Sequence, residues 1–239
     1  VALINGLYNM SLLLIETKEM DQAASDWNSK AIEAAQKYLA DNPDDLDIRQ
    51  TLLGLLHGRA GFLKKQPNTK DQLLDLYQSI AEDCKSLFKL HPNRTGFLVN
   101  YIDAETLRGC LLWRLDRKDE ALRVFQAMEE LMQDPSIQSI EEWTVTELWM
   151  EYHFQRSLAL LDSRCFSELV TFTSRWEEFQ ATPKVRKYPN AMDLLGFNDR
   201  LGVLLPKYLR WLGMLQIQPD SPEQAQAEQE ARDAFKSWL

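Results

Sequence analysis

Along most of the chain apolar residues recur at spacings of three and four, the period of one helix face. The recurrence is cut by prolines at Pro43, Pro92, Pro135 and Pro183, each following an apolar run that the proline cannot continue. Each interval also breaks near its middle, in the polar stretches beginning at Ile15, Lys64, Leu115 and Leu161. The pattern predicts helix, short turn and second helix four times over. Residues 184–239 read differently: a long apolar helix containing Pro206, then a polar one capped by Ser221 with Pro222 in its first turn.

Recurrence at a fixed period raises the question of a repeat architecture. Leu7, Met10, Ser11 and Leu14, then Ala23 and Trp27, then Pro43 follow the tetratricopeptide order of bulky, small and closing residues. Gly109 and Leu112 with Ala121 and Phe125 repeat it, as do Ala60, Leu63, Leu73, Tyr77 and Pro92, and Ser157, Leu160, Leu169 and Pro183. The chain thus resembles the tetratricopeptide repeat family in an extended-helix variant, with a period of about 48 residues against the family's 34. Arrays in kinesin light chains and in bacterial signalling proteins, serine/threonine kinases among them, look similar. The resemblance implies an all-α, right-handed α-solenoid of antiparallel helix pairs. Its units would cover about residues 1–43, 44–92, 93–135 and 136–183, with 184–239 as a divergent C-terminal helical cap.

Composition narrows the function. The chain has 239 residues, 45% of them hydrophobic, and a net charge of −9, which argues against a nucleic-acid partner. The basic run Lys184, Arg186 and Lys187 is short. The longest apolar stretches fall well below the roughly 20 residues that span a bilayer. Cys84, Cys110 and Cys165 have no paired spacing, which fits a reducing cytoplasmic setting and no zinc site. The opening residues lie inside a helical pattern and read as an excised part of a longer protein.

Catalytic signatures are lacking. His57, His91 and His153 stand in separate repeats, and no phosphate loop or nucleophile elbow occurs. The acidic pairs Asp44–Asp45, Glu129–Glu130, Glu141–Glu142 and Glu177–Glu178 read as solvated faces or helix-dipole complements. No cofactor, metal or catalytic residue is assigned.

The family's concave face, carried onto this sequence, would show Tyr8 and Leu12 from the first unit and His57 and Lys64 from the second. Trp113 and Arg114 would follow from the third, Phe154 and Leu158 from the fourth. This set suits a protein or peptide partner docking by apolar side chains, or another domain of the same polypeptide. Two readings of the face stand: an open groove, or a surface already buried by the C-terminal helices or by tight superhelical curvature. The function expected is a non-catalytic interaction scaffold; the alternative is a sensor that binds a peptide or small ligand and controls an attached enzyme such as a serine/threonine kinase. Finally, Arg59, Arg108 and Arg156 replace an apolar residue of the pattern, and Glu82, Glu130 and Glu178 follow 22 or 23 residues later, which predicts one charged pair per unit between helix layers.

Overall fold

The computed structural model describes residues 21–140, 143–182 and 199–238, with isolated positions Ile4, Gly6 and Asn9 before them. Every regular element among them is a helix: α1 (Asp21–Asp41), α2 (Leu46–Lys64), α3 (Lys70–Leu90), α4 (Thr95–Arg114), α5 (Lys118–Gln133), the single-turn α6 (Pro135–Gln138), α7 (Trp143–Asp162), α8 (Phe166–Gln180), α9 (Asp199–Ile217) and α10 (Pro222–Trp238). Strands are absent from the described residues. Tyr8, Leu12, the place of Ser11, Glu141–Glu142, Pro183 and the basic run near Lys184 lie outside them.

The expected breaks in the second, third and fourth intervals, and the connection between α9 and α10, each turn through a left-handed residue, while the break expected at Ile15 lies outside the described residues. Asn68, Asp116, Arg164 and Asp220 have φ of 61°, 59°, 56° and 64°, and each stands between the two helices of a pair. In the turns at Asp116 and Arg164 the following amide reaches back six residues inclusive, Arg117 N to Leu112 O at 3.0 Å and Cys165 N to Leu160 O at 2.9 Å. That bond satisfies a carbonyl the ending helix would otherwise orphan, and the left-handed residue turns the chain so that a second helix starts at once. Helix starts are fixed by side chains: Asp45 accepts from the Ile48 amide at 3.0 Å, and Ser221 Oγ from the Gln224 amide at 3.0 Å. Asp45 also accepts from the Tyr38 hydroxyl, and these bonds, the Ile48 amide foremost, hold its carboxyl below the ordinary value. His91 closes α3, its amide on Leu87 O at 2.8 Å.

The chain divides into two compact units, the first ending at Arg108 and the second beginning at Gly109, a step inside α4. In the first unit α1 packs on α2 and α2 on α3. Ala31 and Ala35 of α1 join Ile32, Ile48 and Leu55 in one apolar cluster. Close approach is enforced at Gly58, where a Cβ would stand 3.0 Å from Asn28 Nδ2. That amide donates to the Leu55 carbonyl at 3.0 Å. The buried places of α1 are therefore Ala24 and Asn28, 0% and 2% exposed, one residue beyond Ala23 and Trp27, which are half-buried. The buried places of α1 thus fall one residue later than expected, because the small residues that admit α2 lie on the Ala24 face.

In the second unit Phe125 of α5 is a centre of packing. A Cβ on Gly109 would lie 2.6 Å from its ring, so only glycine lets α4 and α5 meet there. Trp113 and Tyr152 stand beside the same ring, at centroid distances of 6.1 and 6.3 Å. Further on α8 packs against α7 and α9, and α9 against α10. Gly213 of α9 abuts Val170 and the Phe166 carbonyl of α8, and Pro206 lies inside α9.

The second helices α3, α5 and α8 each bury one stripe: Leu73, Tyr77, Ile80 and Cys84; Ala121, Phe125 and Met128; Leu169, Phe172 and Trp176. In contrast α4 buries Phe97, Leu98, Tyr101, Ile102, Ala104, Glu105 and Thr106, residues spread over rather more than half of its circumference. A helix covered on several sides needs apolar residues on all of them.

Candidate functional site

In the first unit His57 of α2 and Asp103 of α4 meet, Nδ1 to Oδ2 at 3.0 Å, with side chains 16% and 30% exposed. Lys64, two turns after His57 on α2, holds its ammonium 5.7 Å from the Tyr77 ring. Gly61 between them has nothing within 4 Å of an added Cβ. The Tyr77 hydroxyl and His57 Nε2 are buried with no hydrogen-bond partner among the described residues. Burial first, then the Asp103 charge, pushes the Tyr77 phenol far above its ordinary value, so it stays neutral. The structure thus brings His57 and Lys64 onto one face of α2 beside an open glycine, with Lys64 exposed.

In the second unit Arg114 pairs with Asp162 at 3.3 Å. Phe154, Leu158 and Asp162 are four residues apart on α7 and share one face, and both Phe154 and Leu158 are half-buried. Trp113 is different. It is 4% exposed and packed on Phe125, and its place as a partner anchor is corrected to one in the core. Helical phase explains the error: α4 is apolar on several sides, so the pattern alone does not say which side faces out.

The three arginines separate. Arg108 folds back one turn to Glu105, at 2.8 Å. Arg156 bonds Glu129 at 2.5 Å and the Tyr152 hydroxyl at 2.6 Å. Its guanidinium lies between the Phe125 and Phe172 rings, 4.4 and 4.2 Å from their centroids. Arg175 joins the same Glu129 at 3.1 Å. The three acids expected as partners, Glu82, Glu130 and Glu178, are all exposed; Glu130 accepts from Gln126 and Glu82 from Gln78. An inter-helix charged pair exists at Arg156, with the acid one residue earlier than expected. Likewise Glu177, not Glu178, is reached by Arg210 of α9, at 4.0 Å.

Arg59 makes no ion pair among the described residues. It lines a groove of about 660 Å³ in the first unit, walled by α1 and α3 and floored by α2. The sequence carried a signal for it, since Leu56, Arg59 and Leu63 form one stripe on α2.

His153 of α7 is 4% exposed, with both ring nitrogens lacking a partner among the described residues. Phe172, Phe179 and Trp176 of α8 flank it at 5.1, 5.1 and 6.2 Å, with Tyr152 edge-on at 5.4 Å. Burial, with a smaller push from Arg156, lowers its pKa to about 3. Between that value and the unfolded pKa of about 6.5 the unfolded chain takes a proton that the folded one refuses. Stability from this residue is thus complete above about pH 6.5 and is lost as pH falls, by about 2 kcal/mol at pH 5. The carboxyls of Glu147 and Glu177, raised mainly by burial, act in the opposite sense. Urea midpoints at pH 7 and pH 5 should therefore differ more in the natural protein than in His153→Phe; equal differences would show that His153 protonates in place.

Among the described residues no group of three or more His, Cys, Asp or Glu side chains could hold a metal ion, and no helix is long and apolar enough to cross a membrane. No family model, curated protein or solved structure matches this chain.

Proposed function

We propose that the chain is a non-catalytic interaction scaffold of the tetratricopeptide-like solenoid class, whose first-helix faces bind a peptide or helical segment of a protein partner. The observation that carries this reading is the recurrence of one helix pair, closed by a left-handed residue at Asn68, Asp116, Arg164 and Asp220. Half-buried residues remain on the first helices, His57 with Asp103 in one unit and Phe154 with Leu158 in the other. Such surfaces combine apolar contact with a few placed polar groups, which is what a docked segment requires. Cys84, Cys110 and Cys165 form no disulfide, which suits a reducing cytoplasm, and the Cys84 thiol is pushed up to about 12 mainly by burial and so is unreactive.

Selection of a displayed peptide library on the folded chain tests the reading. Peptides should be recovered whose affinity falls at least about tenfold in Lys64→Glu or Leu158→Glu. Leu122→Glu, on an exposed site of α5, should leave it unchanged. Recovery of no binder, or binders indifferent to both face variants, would remove the assignment. The sensor reading, with control of an attached kinase-like enzyme, draws support from the buried, unbonded Tyr77 hydroxyl and His57 Nε2, which could recognise a small polar ligand.

A further inference from the structure

The groove of the first unit has a definite chemistry. On its floor α2 presents Leu56, Arg59 and Leu63, a stripe of apolar, cationic and apolar side chains. Ile32 of α1 and Leu76 of α3 extend the apolar surface on either wall, and Glu33 and Asp75 add one carboxylate to each. Arg59 is exposed, and it has no ion pair among the described residues. Its guanidinium is flanked by hydrocarbon, where an incoming carboxylate would be partly shielded from water and its attraction strengthened. From Leu56 to Leu63 the stripe runs about 10 Å, two helical turns, and the walls stand a helix apart.

We propose that this groove seats an amphipathic helix of a partner protein. The helix carries one Asp or Glu between two leucine-like residues on its buried face, and Lys or Arg on its flanks. The carboxylate meets Arg59, the apolar pair covers Leu56 and Leu63, and the flanking cations meet Glu33 and Asp75. Charge order gives specificity: a basic residue at the central place would face Arg59, and acidic flanks would face the two wall carboxylates. This site lies on a different side of α2 from His57 and Lys64, so either can fail without the other.

The probe is a fluorescein-labelled, stapled helical peptide with Leu, Glu and Leu at its first, fourth and eighth positions and lysines on the flanks, titrated by anisotropy. A second peptide has Lys in place of the Glu. The natural protein should bind the Glu peptide saturably, and Arg59→Glu should weaken it at least about tenfold. Arg59→Glu should in turn prefer the Lys peptide, and Asp75→Lys should weaken both lysine-flanked peptides. Circular dichroism confirms that the variants stay folded. Absence of saturable binding would overturn the proposal, as would equal affinity for natural protein and Arg59→Glu. Loss of binding in Lys64→Glu but not Arg59→Glu would also overturn it, and would move the peptide to the other face. If, without peptide, the chain self-associates and Arg59→Glu abolishes this, the occupant is a second copy and the partner assignment falls.

Discussion

Trp113→Ala is expected to destabilise the protein by about 4 kcal/mol, the cost of truncating a large aromatic in a core. The indole is 4% exposed and lies against Phe125, with the Lys118 ammonium 5.9 Å from its ring. The Phe125 ring also lies against the Gly109 backbone, Tyr152 and the Arg156 guanidinium, so its neighbours have little freedom to collapse into the space. Urea denaturation should show a lower midpoint with an unchanged slope. A loss below about 1 kcal/mol, typical of surface sites, would mean that the indole is exposed and free to anchor a partner after all.

The second large effect concerns an acid rather than an aromatic. Glu129→Ala should cost about 3 kcal/mol, because it strands the Arg156 charge between two aromatic rings. The Arg156 side chain is only 12% exposed and that of Glu129 29%, and after the change only the Tyr152 hydroxyl would remain on the guanidinium. Arg156→Met should also be damaging, through loss of the cation–π sandwich and of packing. The double variant Arg156→Met with Glu129→Ile should recover to within about 1 kcal/mol of the natural protein, since an apolar pair needs no desolvation of charge. Glu130→Ala, one residue away and exposed, should change stability by less than about 0.5 kcal/mol. Additive single effects in the double variant would show that Arg156 and Glu129 do not act as a pair.

The contrast between Glu129 and Glu130 shows where sequence reading stops. Period and proline placement were enough to locate the helix pairs, and the polar breaks at Leu115–Glu120 and Leu161–Glu168 fall where Asp116 and Arg164 turn the chain. Adjacent residues on a helix point about 100° apart, however, and two neighbouring acids give the same pattern whichever of them faces inward. The same ambiguity of one residue moved the buried places of α1 from Ala23 and Trp27 to Ala24 and Asn28. There the deciding signal was not hydrophobic at all: Asn28 is buried because Gly58 leaves room for its amide to reach the Leu55 carbonyl. Trp113 failed for another reason. Its neighbours on α4 are apolar on several sides, and the number of sides covered depends on which helices pack there, which no local pattern encodes. Of the candidate site, only the shared face of Phe154 and Leu158 follows from helical spacing; the meeting of His57 on α2 with Asp103 on α4 depends on how those helices pack. The groove at Arg59 depends on how α1 and α3 flank α2.

Hydrogen exchange on the chain with a selected peptide bound tests the interaction role most directly. If the first-helix faces bind, added protection should concentrate in α2 around His57–Lys64 or in α7 around Phe154–Asp162, and it should vanish in the matching charge variant of Lys64 or Leu158. Protection confined to the exposed faces of α5 and α10, or no change anywhere at saturating peptide, would contradict it.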